Sequence, residues 1–192
     1  MKKSNLLMYL MMLGAISISS LLFISCKQEG NKVDQNESLN LPESDPHTMV
    51  LSDDSLGIKA YIDGGGDLNV RDRFGGSSPL ISAAVFGKTR MAEMLLKAGA
   101  DINFQNNDGS TALHTAAFFC RPDIVQLLLD NNADTTIKNK YGATAYDNVS
   151  GSFDEVKEAY DMMGQALGPM GLQLDYEYIK SERPVIAEML QK

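Results

Sequence analysis

Two stretches of the chain repeat one order of apolar and polar positions. Leu113, Ala116 and Ala117 fall at i, i+3 and i+4, one face of a short helix, and Ile124, Val125, Leu127, Leu128 and Leu129 then give a second helix a broad apolar face. One unit earlier Ala83-Ala84 and Met94-Leu95-Leu96 hold the places of Ala116-Ala117 and Leu127-Leu128-Leu129. Ser78-Pro79-Leu80-Ile81, Thr111-Ala112-Leu113-His114 and Thr144-Ala145-Tyr146-Asp147 begin at one fixed 33-residue step (111−78 and 144−111), and Gly99-Ala100-Asp101 returns as Asn132-Ala133-Asp134 at the same step. An earlier half unit, Ala60-Tyr61-Ile62 with Gly65-Gly66-Asp67-Leu68-Asn69, stands one position further from its match than that step allows, which places one inserted residue near Gly75-Gly76.

Within a unit the residue types predict turn, helix, turn, helix. Asp108-Gly109 and Tyr141-Gly142 suit tight turns. The Thr111 hydroxyl can accept from the free N–H groups that open a helix, and Pro79 takes the first-turn place where a missing N–H costs nothing. The second helix is too apolar to stand in water as part of a lone hairpin, so each unit must be covered by the next. The pattern therefore predicts an all-α solenoid over residues 51–168, with two full units at 72–105 and 106–138 and half units as caps.

At the N-terminal end residues 53–63 supply only a second-helix pattern, with Asp54 or Ser55 as cap. At the other end Phe153, Val156, Tyr160, Met163 and Leu167 form one helical stripe, in the place of the last unit's second helix, before Gly168-Pro169 breaks it. Residues 169–192 form an extension in which 181–191 read as a short amphipathic helix with Pro184 in its first turn. It either docks as an extra cap or lies free for a partner.

The 33-residue period and the Ser/Thr-Pro/Ala-Leu-His/Ile tetrapeptides resemble the ankyrin-repeat pattern from about residue 53 to about residue 163. The resemblance implies binding without catalysis, through variable positions at the hairpin tips and at the ends of the first helices. By register the tips are Arg71, Arg73, Phe74 and Ser77, then Gln105, Asn107, Asp108 and Ser110, then Lys138, Lys140 and Tyr141. At the helix ends Val85-Phe86 and Phe118-Phe119 make two apolar columns where the family often has polar residues. An exposed patch of this kind would anchor a protein partner, with Phe86 and Phe119 at its centre. The bland alternative is that these rings fold against loops or the C-terminal segment. The resemblance also makes His114 a hydrogen-bonding residue within its unit.

Ahead of the repeats, Lys2-Lys3, an apolar run over 6–24 and Ser25 before Cys26 have the form of a secretory signal. Phe23-Ile24-Ser25-Cys26 resembles a bacterial lipoprotein box, with Ser25 matching and Phe23 and Ile24 departing from it, which would make Cys26 the lipidated first residue. An uncleaved membrane helix is the other reading of this run, since ~20 apolar residues span a bilayer. Both readings leave the rest exported. Residues 26–50 are polar, with two prolines, and predict a flexible tether in which His47 is solvated. The stretch after Cys26 would span about 25–30 Å as a coil. Lys27 in place of an aspartate resembles sorting to the outer membrane.

Composition narrows the chemistry. The formal net charge is −8, and without Lys2 and Lys3 it is −10, with 15 basic and 25 acidic residues, so nucleic acid is an unsuitable partner. Two histidines and two cysteines at these spacings build neither a metal site nor a disulfide framework. Cys120 takes the register place that Gly87 holds one unit earlier, so if that turn is left-handed, Cys120→Gly is expected to stabilise the fold. Gly64-Gly65-Gly66 and Gly75-Gly76 lack the Lys-Ser/Thr of a phosphate loop, and the Asn106-Asp108-Gly109 echo of a calcium loop has Phe104 and Thr115 at its end positions. No base, nucleophile and orienting group are paired, so no catalytic residue, cofactor or small-molecule substrate is expected. The sequence thus points to an exported, lipid-anchored protein-binding module. A toxin-neutralising protective lipoprotein and a structural envelope scaffold are the alternatives.

Overall fold

The computed structural model describes residues 45–191, and they are helical, with no strand among them. The helices run α1 (Pro46–Leu51), α2 (Ser55–Asp63), α3 (Pro79–Phe86), α4 (Thr89–Lys97), α5 (Ala112–Phe118), α6 (Pro122–Asp130), α7 (Asp147–Ser150), α8 (Phe153–Leu167), a 3-10 turn (Gly168–Met170) and α9 (Tyr176–Met189). First helices stack in the order α1, α3, α5, α7, and second helices in the order α2, α4, α6. The ladder expected from the 33-residue step is present, with Leu95 and Leu128 fully buried between units.

The first helices α1, α3 and α5 open the same way. Asp45 accepts from the Thr48 N–H, Ser78 from Ile81 and Thr111 from His114, while Pro46 and Pro79 occupy the first helical turn. Each turn into a second helix is left-handed, with φ of 61° at Asp53, 66° at Gly87 and 52° at Cys120. The inserted residue is also visible. The hairpins closed by Asn106 N–H to Ser110 and by Asn139 N–H to Ala143 span four residues, whereas Asp72 N–H reaches Ser77, five residues on.

Three details differ from the sequence pattern. The N-terminal unit is a complete helix pair, because α1 begins at Pro46, inside what reads as tether. His47 is therefore buried, not solvated. Its Nε2–H donates to the Val70 carbonyl at 3.1 Å and its Nδ1 pairs with the Ser82 hydroxyl at 2.8 Å. The rest of the expected tether, Cys26 and the apolar run lie outside the described residues, among which no helix is long and apolar enough to cross a membrane.

The second correction concerns the last unit. α9 packs against both α7 and α6, as α6 packs against α5 and α4, so it takes the second-helix place expected for residues 153–167. α8 is instead an insertion whose Val156, Ala159 and Tyr160 are buried and whose Tyr160 ring covers the end of α5. Third, α9 starts five residues earlier than the pattern suggests, because Asp175 accepts from the Glu177 and Tyr178 N–H groups, which leaves Pro184 inside the helix. Of the two fates weighed for the C-terminal segment, docking is the one observed.

Candidate functional site

Successive hairpin tips are tied into one row by backbone bonds. Asn107 N–H donates to the Gly75 carbonyl and Lys140 N–H to the Asp108 carbonyl, both at 2.9 Å. Side chains add a second set of ties, since Asn69 Oδ1 accepts from the Asp101 N–H and Asn103 Oδ1 from the Asp134 N–H, each at 2.9 Å. The two asparagines match in the repeat register, but their role as ties is not among the sequence expectations. Their signal was an asparagine at the same register place after each of two successive second helices.

The loop bearing Phe74 is the widest of the row and is held from within. The Asp72 carboxylate accepts from the N–H groups of Phe74, Gly75, Gly76 and Ser77. Arg71 lies over the Phe104 ring, 4.5 Å from its centroid, and donates to the Gly76 and Gln105 carbonyls, so two neighbouring tips share one guanidinium. With four successive N–H groups held by Asp72, the loop presents Phe74 at 75% exposure, flanked by exposed Arg73.

The remaining tip residues divide by burial. Gln105, Asn107, Lys138 and Lys140 are exposed, Asp108 and Tyr141 half-buried, and Ser110 is buried, which removes Ser110 from the accessible set. The Tyr141 hydroxyl donates to Asp108 Oδ1 at 3.4 Å, and burial together with that carboxylate pushes Tyr141 up to about 12. Tyr141 therefore stays a neutral donor. Four of the exposed tip side chains (Arg71, Arg73, Lys138 and Lys140) are cationic in a chain whose net charge is −8. Of the two tip carboxylates, one is saturated by loop amides and the other faces a tyrosine.

The apolar columns at the helix ends are not an exposed patch. Phe118 is 5% and Phe119 3% exposed, because α8 and α9 cover them. Phe118 stacks on Tyr160, and Phe119 meets Phe118 edge-on at 5.1 Å. Val85 and Phe86, one unit earlier, are half-buried. In the folded chain Phe118 and Phe119 cannot anchor a partner and follow the bland alternative, whereas Phe86 keeps part of its ring accessible.

His114 makes the bond within its unit that the ankyrin resemblance implies, and a second one to the next unit. Its Nδ1 accepts from the Thr111 N–H at 3.3 Å and its Nε2–H donates to the Ala143 carbonyl at 3.1 Å, bridging two units. Burial lowers its pKa. Among the described residues no group of histidine, cysteine or carboxylate side chains could hold a metal ion. Cys120 is a free, buried thiol, pushed by burial up to about 11.

These features define a helical-repeat protein whose hairpin tips form a continuous, partly basic row. The family model for ankyrin repeats, in three copies, matches residues 47–139, and this stretch consists of ankyrin repeats. The chain is also similar to the crystal structure of the ankyrin repeat domain of Bcl-3, described as a unique member of the IkappaB protein family. The two are 28% identical with a TM-score of 0.53, over 60% of this chain and 50% of that one, so the match spans half the length of the Bcl-3 chain. No curated protein matches the chain closely enough to count as a relative.

Proposed function

We propose that this chain is a protein–protein interaction module, as ankyrin repeats generally are, exported and lipid-anchored at Cys26, and that it holds a protein partner along the hairpin row. The observation that carries the reading is Phe74, a ring at 75% exposure on a loop held from within by Asp72. A loop backbone held this closely loses little entropy on binding. Arg73 beside it, with Lys138 and Lys140 two tips along the row, suits a partner surface that is acidic and offers one apolar pocket, and these cations steer such a partner towards the tips. The export and anchor rest on Lys2-Lys3, the apolar run 6–24 and Ser25-Cys26, and Lys27 supports the outer membrane.

Cross-linking in the envelope of the producing cell, followed by identification of the captured species by mass, tests the binding role. Capture should fall by at least about tenfold in Phe74→Ser, as for a hot-spot residue, with the melting curve unchanged. Undiminished capture would remove Phe74 from the site. Labelling with a radioactive fatty acid tests the anchor, with label expected on the wild type and absent from Cys26→Ala.

A further inference from the structure

A cleft of about 490 Å³ lies between the α7–α8 corner and α9, at the C-terminal end of the stack. That volume falls in the ~300–1,000 Å³ range of ligand pockets, room enough for an aromatic side chain. Tyr146, Val149, Phe153, Pro184 and Ala187 supply its apolar surface. Arg183 also lines it, but is 2% exposed, with both Nη atoms bonded to the Asn148 and Gly151 carbonyls and the Tyr160 hydroxyl. It is wall, not rim.

The rim beside α8 is acidic. Asp154 lines the cleft, and Glu155 lies next to it, since a Cβ added at the lining residue Gly151 would stand 3.5 Å from Glu155 Oε2. Both side chains are exposed, and among the described residues neither has an ion-pair partner. Lys157, the one cation in the α8 sequence, is taken by Asp161 at 2.9 Å. Glu188 is already engaged, and Lys180 is the exposed cation that opposes the two free carboxylates. The α8 side of the cleft therefore receives a cation and repels an anion.

The loop of Phe74 offers the complement, a highly exposed ring with a cation one residue away. The Arg73 guanidinium likewise has no partner among the described residues. At the cleft the apolar Phe153 and the acidic Asp154 are adjacent in the same way. Loop and cleft cannot meet within one chain, because the loop stands at the level of α3 and the cleft at that of α7, two stacking steps of about 10 Å each apart. Two chains can join what one cannot. Starting from Phe74 as the anchor of the hairpin row, we propose that the partner it holds is a second copy of this chain, with Phe74 in the cleft between the α7–α8 corner and α9 and Arg73 against Asp154 and Glu155. The two patches differ, so each joined pair keeps a free ring at one end and a free cleft at the other, and copies add head to tail.

Photo-cross-linking between two full-length copies, produced in place of the wild-type chain and examined in the cell envelope, tests this. One copy carries a photoreactive benzoylphenylalanine in place of Phe74, and the other carries an affinity tag. Irradiation should join them at the summed mass of the two chains, with the attachment within residues 146–154 or 180–191. Ala187→Phe, which fills the cleft, should cut the adduct at least about tenfold in the tagged copy and leave it intact in the photoreactive copy. Asp154→Arg in the tagged copy should also weaken the adduct, and Arg73→Asp in the photoreactive copy should restore it. Capture of a different protein would overturn self-docking and leave Phe74 as a binding residue, whereas no adduct at all would remove both. An adduct undiminished by Ala187→Phe in the tagged copy, equal loss in the two arrangements, or a charge exchange without rescue would each overturn the head-to-tail contact.

Discussion

The hydroxyl of Tyr160 in α8 donates to the backbone carbonyl of Phe118 at the end of α5, 42 residues earlier, and the two rings stack with centroids 4.6 Å apart. One side chain thus closes the repeat stack twice, by a polar bond and by an apolar face. Tyr160→Phe keeps the ring and removes the hydroxyl, which strips a buried partner from both Phe118 and Arg183. The loss should be about 1–3 kcal/mol, read as a lower urea midpoint. Tyr160→Ala should lose about 3–5 kcal/mol and expose Phe118 and Phe119 to a hydrophobic dye. A Tyr160→Phe midpoint equal to wild type would mean that α8 does not close the stack in solution.

Cys120 carries two opposing contributions. Its φ of 52° confirms the left-handed turn inferred from Gly87, but its side chain is fully buried, with Sγ 3.6 Å from the Ile179 carbonyl of α9. Cys120→Gly relieves strain of roughly 1–2 kcal/mol and loses a buried side chain of about the same worth, so the gain expected from sequence is offset. The informative comparison is between two variants that both lack sulfur. Cys120→Gly should be more stable than Cys120→Ala by at least about 0.5 kcal/mol, since the extra methyl recovers only part of the strain. The reverse order in thermal unfolding would contradict the strained turn.

The repeats were legible because stacking imposes the same residue type at each repeat step, from Ala83 to Ala116 and from Leu95 to Leu128. α1 was not, because His47 occupies the place that Leu80 and Leu113 hold, and its polar ring is tolerated only through Val70 and Ser82, which lie in other segments. The burial of Phe118 and Phe119 was equally hidden. It depends on α8 and α9, whose docking is long-range and outside the repeat period. Of the candidate site, the tip positions could be read from register, but only coordinates separate exposed Phe74 from buried Ser110.

His114 makes stability depend on pH in a defined direction. Burial lowers its folded pKa, so the native chain keeps it neutral while the unfolded chain takes up a proton near the ordinary value of 6.5. The unfolded state then binds more protons, and stability falls as pH drops below 6.5 towards the folded pKa. Urea midpoints should decline between neutrality and mildly acidic pH, above the range where carboxylates titrate. His114→Gln should be less stable at neutrality and should flatten that decline. An unchanged slope in the variant would show that the proton is taken up elsewhere.

The extra residue in the Asp72–Ser77 loop ties the fold to the proposed binding role. The neighbouring hairpins close over four residues and the loop of Phe74 over five. The loop reaches this width with Gly76 at a φ of 65° and with its Cα so close to Asn107 that an added Cβ would lie 2.3 Å from the Asn107 Oδ1. A larger residue there would strain the left-handed backbone and push the Asn107 side chain aside. Deleting Gly75 restores the shorter loop seen at Asn106–Ser110 and at Asn139–Ala143, whose backbone geometry is already stable in this chain. The stack should therefore stay folded, with a loss of no more than about 1–2 kcal/mol from the disturbed contact between tips. Phe74, however, is moved relative to Arg73 and the row of tips, and capture of the partner should fall as far as in Phe74→Ser. A deletion that folds and still captures the partner at the wild-type level would show that the widened loop does not set the position of Phe74.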